Sequence, residues 1–182
     1  GSIMKNAFLA LAFAVPAIVV AAETPEAGFK EAVQQQAKSE FSVLSLQNPA
    51  PVNKESNFEQ IAYLFSLVNG ARLAALDTAK GITDKETAEA KAIELTARLD
   101  VYVGVSIAVA FAGMNAQLTE EEVAKVQEIG IAGEETDKLL AQEVRRLKEA
   151  GLFGSPLLKQ AMDYLDEQYG NKGGQATPAP EV

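Results

Sequence analysis

The chain has no cysteine, no histidine and no tryptophan among its 182 residues. Without cysteine there are no disulfides, no thiolate metal sites, no thiol nucleophile and no lipid-modified N-terminal cysteine. Without histidine the commonest general base and metal ligand are gone. A serine nucleophile would then need lysine as its base, and no Ser-x-x-Lys string stands in a suitable apolar setting; Ser2-Ile3-Met4-Lys5 lies in the leading segment. Positive charge is also scarce, with 16 basic against 25 acidic residues and a net charge of −9. Nucleic acid and anionic lipid both need a basic footprint, so neither is expected as the main partner. Lys80-Gly81 and Asn171-Lys172-Gly173-Gly174 lack the spacing of a phosphate loop. Paired carboxylates can run glycoside hydrolysis, but 25 acids single out no pair. These absences predict a protein that is not an enzyme and uses no cofactor and no metal.

What is present begins with a targeting layout. Gly1-Ser2-Ile3 precede Met4 and read as a cloning scar (1–3). Met4-Lys5-Asn6 is a short positive region, and Ala7 to Val20 follow without a charge. Val20-Ala21-Ala22 then place small residues at −3 and −1 before Glu23, the layout of a cleavable signal peptide over 4–22. The apolar run is short for a bilayer span and contains Pro16. The expected location is therefore periplasmic or secreted, with no integral membrane segment after processing; the alternatives are an uncleaved anchor or a helix packed onto the domain.

Past residue 22 the apolar spacing is helical nearly throughout. Phe29, Val33, Ala37, Phe41 and Leu44 form one stripe and predict a helix from Pro25 to Leu46, capped by Thr24. Ser56-Asn57-Phe58-Glu59 reads as a capping box opening a second, largely buried helix that ends at Gly81. Thr83-Asp84-Lys85-Glu86 reads as another, opening a helix to about Asn115, with Glu94 and Arg98 paired on its wet side. Leu118 to Glu122 start a short helix that Gly130 and Gly133 interrupt. Glu134 to Ala150 form the next helix, with Leu140, Val144 and Leu147 inward, and Ser155-Pro156 cap the last, which buries Leu157, Leu158, Ala161, Met162 and Leu165. Asn171 to Val182 have nothing to bury and read as a disordered tail (171–182). The expectation is an all-α protein, a single helical bundle of five to seven helices over 23–170, with a largely buried central helix near 84–115.

Four segments are candidates for function. Val101 to Met114 carry no charge and many small residues. They read first as a buried core helix. A sharper reading makes them the wall of an apolar ligand cavity formed by Gly104, Ala108 and Phe111 with Phe65 and Val68 of the second helix. A membrane-inserting hairpin is opposed by Arg72, Asp77, Arg98 and Asp100. Arg72 and Asp100 are a candidate polar anchor if both face inward, where they would have to pair; otherwise they are rim residues reaching water. The acidic groups Glu120-Glu121-Glu122 and Glu134, Glu135, Asp137 lack the EF-hand pattern and sit in first helical turns, where they complement the dipole.

The last candidate is a repeat. Ile82-Thr83-Asp84-Lys85-Glu86 and Leu118-Thr119-Glu120-Glu121-Glu122 share [Ile/Leu]-Thr-x-x-Glu. The string is similar to the Leu-Thr-x-x-Gln motif of small helical periplasmic chaperones, with Glu in place of Gln. Those chaperones tend to a basic cradle, whereas this chain is acidic. Ten residues carry the similarity, both copies work as capping boxes, and no family is assigned on them. The chain is thus expected to be an exported, non-enzymatic helical protein of the cell envelope or extracellular space that binds another macromolecule, its protein partner unidentified. The alternative is a carrier of a small apolar molecule such as a lipid, held against the 101–114 helix.

Overall fold

The computed structural model describes residues 25–169. The scar, the targeting segment, Thr24 and the C-terminal tail lie outside the described residues. Six α-helices follow in order: α1 Pro25–Gln47, α2 Asn57–Lys80, α3 Lys85–Asn115, α4 Glu120–Ala132, α5 Glu134–Glu149 and α6 Pro156–Tyr169, with a 3-10 turn at Leu152–Gly154. No strand occurs among the described residues. The chain is an all-α bundle, and α3 is its axis: α1, α2 and α6 all pack on it, while α5 packs on α2 and α4 touches α2 and α5.

Three of the helices, α2, α3 and α4, begin at local side-chain caps. In α1, the five residues of the predicted stripe are all buried, a four-turn seam that only a helix produces. The N-terminal half of α1 reaches α6 through Lys30–Glu167 at 3.2 Å, and its C-terminal half sets Leu44 against Gly70 of α2. So α1 crosses over α3 from the α6 side to the α2 side.

Half of the capping box expected for α2 forms. Ser56 Oγ accepts from Glu59 N–H at 3.1 Å, but the Glu59 carboxylate reaches back to Asn53 N–H. At α3 the cap is shifted by one residue from the sequence expectation. Asp84, not Thr83, is the N-cap; it accepts from Thr87 N–H at 2.8 Å while Thr87 Oγ1 accepts from Asp84 N–H at 3.0 Å. A carboxylate is the stronger acceptor at a positive helix end, and these bonds hold the Asp84 carboxyl below its ordinary pKa. The Thr119–Glu122 box of α4 forms in both directions, so the two copies of the repeated string cap differently.

Gly130 does not interrupt α4, which runs through it to Ala132. Gly151, at φ 72°, turns the chain out of α5 in the left-handed region that favours glycine. The start of α6 also departs from expectation. The Ser155 hydroxyl donates to the Glu89 carboxylate of α3, which also accepts from Leu157 N–H at 2.8 Å. A carboxylate from another helix thus does the capping and ties α6 to α3. The last helix buries Leu158, Ala161 and Tyr164, while Leu157, Met162 and Leu165 are only partly covered.

Candidate functional site

The site lies at the C-terminal end of α3. Val101, Gly104, Val105, Ala108 and Ala112 are buried along one face. Phe111 and Met114, by contrast, are 42% and 59% exposed, so the segment 101–114 is enclosed on one side and open on the other in its last turns. Asn115 closes the helix by donating to Phe111 O, and the chain returns through Leu118 into α4. An apolar pocket of about 360 Å³ opens here. Ile61 and Phe65 of α2 form one wall, and Val109, Ala110, Gly113 and Met114 of α3 the second. Leu118 and Val126 supply the α4 side. No titratable side chain is in the wall, so the pocket offers apolar contact and desolvation, with no acid–base chemistry of its own.

The fourth helix is held lightly. It has no buried residue, although Gly130 lets it come near the Phe65 ring. Its far end is fastened better. Gly133 lies so close to Asn69 and Arg72 that a Cβ there would displace both side chains, and Arg72 Nη1 donates to Gly133 O at 3.1 Å.

The sequence candidates are distributed unevenly over this geometry. Phe65 lines the pocket. Phe111 is exposed beside it and is not part of its wall. Val68, Gly104 and Ala108 are buried in helix contacts, and the pocket does not extend to them.

Arg72 and Asp100 are not brought together. Arg72 donates to Asn69 Oδ1 and Gly133 O, lies 3.5 Å from Asp137, and stacks 5.2 Å above the Tyr102 ring. Asp100 accepts from the hydroxyls of Tyr164, at 3.2 Å, and Tyr169. Burial pushes the Asp100 carboxyl above its ordinary pKa, against the lowering effect of the two hydroxyl donors. Arg72 therefore fastens α5 to α2, and Asp100 fastens α6 to α3. Their partners Tyr102, Asp137, Tyr164 and Tyr169 were missed in the sequence, where nothing links residues 30 to 69 positions apart.

The pairing of Glu94 with Arg98 is present at 3.6 Å, but not on a wet face. Arg98 turns inward, meets Glu40 of α1 at 3.2 Å, and donates to Thr78 Oγ1 and Ala74 O of α2. The acidic groups of α4 and α5 sit at helix starts. Among the described residues no three of them gather as metal ligands.

By length and composition α3 is also apolar enough to cross a membrane, with a mean hydropathy of 1.5 over its most apolar window; core helices of bundles share that property. No protein-family model, no curated protein and no solved structure matches the chain.

Proposed function

We propose that this chain is an exported, non-enzymatic binding protein of the cell envelope or extracellular space, and that the groove between α2, α3 and α4 receives an apolar part of another macromolecule. The observation that carries this reading is the open apolar pocket, walled without a titratable group, with Met114 of its wall and Phe111 of the same helix exposed. Apolar surface left open beside a pocket marks interaction sites more often than it marks random surface. The signal-peptide layout of residues 4–22 supports export.

The same pocket supports a second reading, a carrier of a small apolar ligand such as a lipid chain. Its volume lies near the lower end of the ~300–1,000 Å³ usual for small-molecule sites, and its open rim suits a docked surface better than an enclosed chain. A photoreactive residue at Met114, in protein recovered from its native envelope, separates the two readings. Crosslinks to one protein partner, on material whose intact mass begins at Glu23, support the proposal. A stoichiometric lipid adduct in native mass spectrometry overturns it in favour of the carrier. Retention of Met4 or Lys5 overturns the cleaved signal peptide.

A further inference from the structure

We infer that the groove takes a basic amphipathic helix of a partner protein, with its apolar stripe against Phe65, Met114 and Val126 and its cationic face against the acidic flank of α4 and α5. This rests on the groove reading above and adds the chemistry of the partner.

Charge is the first reason. Between Gln117 and Lys138 the chain has seven carboxylates and two lysines, more than half of the net charge of −9. Lys125 is already engaged by Glu121 at 3.4 Å, and Asp137 by Arg72 and Tyr102. Glu120, Glu128, Glu134 and Glu135 are exposed and make no ion pair among the described residues. The helix that walls the pocket thus lies in a strongly acidic stretch of the chain. Potentials across a specific interface are arranged to be complementary.

Backbone geometry is the second reason. The described residues contain no strand, so an extended peptide would find no sheet edge to join. A groove between helices is filled by apolar anchors at helical spacing.

The state of α4 is the third. Thirteen residues are marginal as an isolated helix, and this one buries none of them, with Val123 and Ile131 41% and 63% exposed. A helix laid along the groove would cover apolar surface that α4 now shows to water. The acidic flank disfavours other occupants. A second copy would set acid against acid, and an anionic lipid surface would be repelled. An acyl chain, or the uncharged stretch Ala7–Val20 of the chain itself, would gain nothing from the carboxylates.

The test uses the full chain and two synthetic amphipathic peptides of about 18 residues, five helical turns, one of Leu and Lys and the other of Leu and Glu. Binding is followed by fluorescence anisotropy over a salt series. The Leu/Lys peptide should bind more weakly as salt rises, and the Leu/Glu peptide should not bind. Combining E120Q, E128Q, E134Q and E135Q should weaken the Leu/Lys peptide about tenfold, the sum expected of several exposed charge pairs. Met114→Gln, at a position exposed enough not to disturb folding, should weaken it as well. Equal binding of both peptides, reduced alike by Met114→Gln, would keep the groove and overturn the basic partner. Peptide binding that ignores every variant, or no peptide binding, would overturn both. A dimer by light scattering that Met114→Gln dissolves would assign the groove to a second copy instead.

Discussion

The two ends of α3 use similar apolar residues and come to differ in everything else. From Ala88 to Ala108 the helix lies among α1, α2 and α6, and its inward face is fully covered. That end also contains buried polar groups with partners: Thr96 bonds back to Ala92 O, and Arg98 meets Glu40, Thr78 and Ala74. From Val109 to Asn115 there is no charge at all, yet the surface stays open toward the pocket. Hydrophobicity alone therefore does not report burial here. The polar residues lie in the closed half, because close packing from three sides supplies them with partners. The unrelieved apolar residues lie in the open half, where α2 and a lightly held α4 wall a pocket beside them. Stability resides at the first end and recognition is proposed at the second.

Substitutions can break that contrast, beginning where the largest loss is expected. Ala108 is completely buried, and Ala108→Asp places an uncompensated carboxylate in the closed half. The expected cost is about 3–5 kcal/mol, a large share of a typical ~5–15 kcal/mol. The variant should lose its cooperative thermal transition by circular dichroism. An unchanged midpoint would mean that the closed half is not closed.

Arg98→Met comes next. It leaves Glu40 facing α3 without its cation. The pair keeps some contact with water, so a loss of about 2–3 kcal/mol is expected in urea unfolding, below that of a fully buried pair. A loss below about 0.5 kcal/mol would place the pair with ordinary surface ion pairs.

A smaller effect is expected from pH. The raised pKa of Asp100 means that the folded chain holds this proton more tightly than the unfolded chain. Its contribution to stability is full below the unfolded pKa and is lost as pH rises through the folded one. Asp100→Asn should remove that decline from a stability–pH curve. Asp84 runs the opposite way: its lowered pKa gives stability that is present above the unfolded value and lost as pH falls through the folded one. An unchanged pH profile in Asp100→Asn would show that the carboxylate is as well solvated folded as unfolded.

The smallest effect belongs to the open end. A Cβ at Gly113 would meet nothing within 4 Å. Gly113→Ala should therefore stabilise the helix by about 0.5 kcal/mol through reduced backbone freedom. A destabilised Gly113→Ala would mean that the open half is more crowded than its surface suggests.

The sequence carried the elements well because their causes are local. The α1 seam is buried residue for residue, and the cap at Thr119 forms as spaced. The cap at α3 was displaced by one residue because Thr83 and Asp84 stand side by side, and spacing cannot rank two good acceptors one position apart. The candidate site was read less well. Phe65 was found, but Val68, Gly104 and Ala108 were placed in a cavity wall where helices in fact close on one another.

By itself, then, the sequence determined the all-α class, most helix boundaries to within a residue or two, the acidic balance and the absence of cysteine and histidine. All of these follow from residue type and from neighbours within one or two turns. Only the tertiary structure decided which face of each helix would be covered, and by what. Arg72 met Gly133 and Tyr102, not Asp100; Asp100 met two tyrosines of α6; Arg98 turned inward; and the charge-free end of α3 stayed open. Helical periodicity gives a residue its face, but its partner depends on how the packed helices divide one limited interior among themselves.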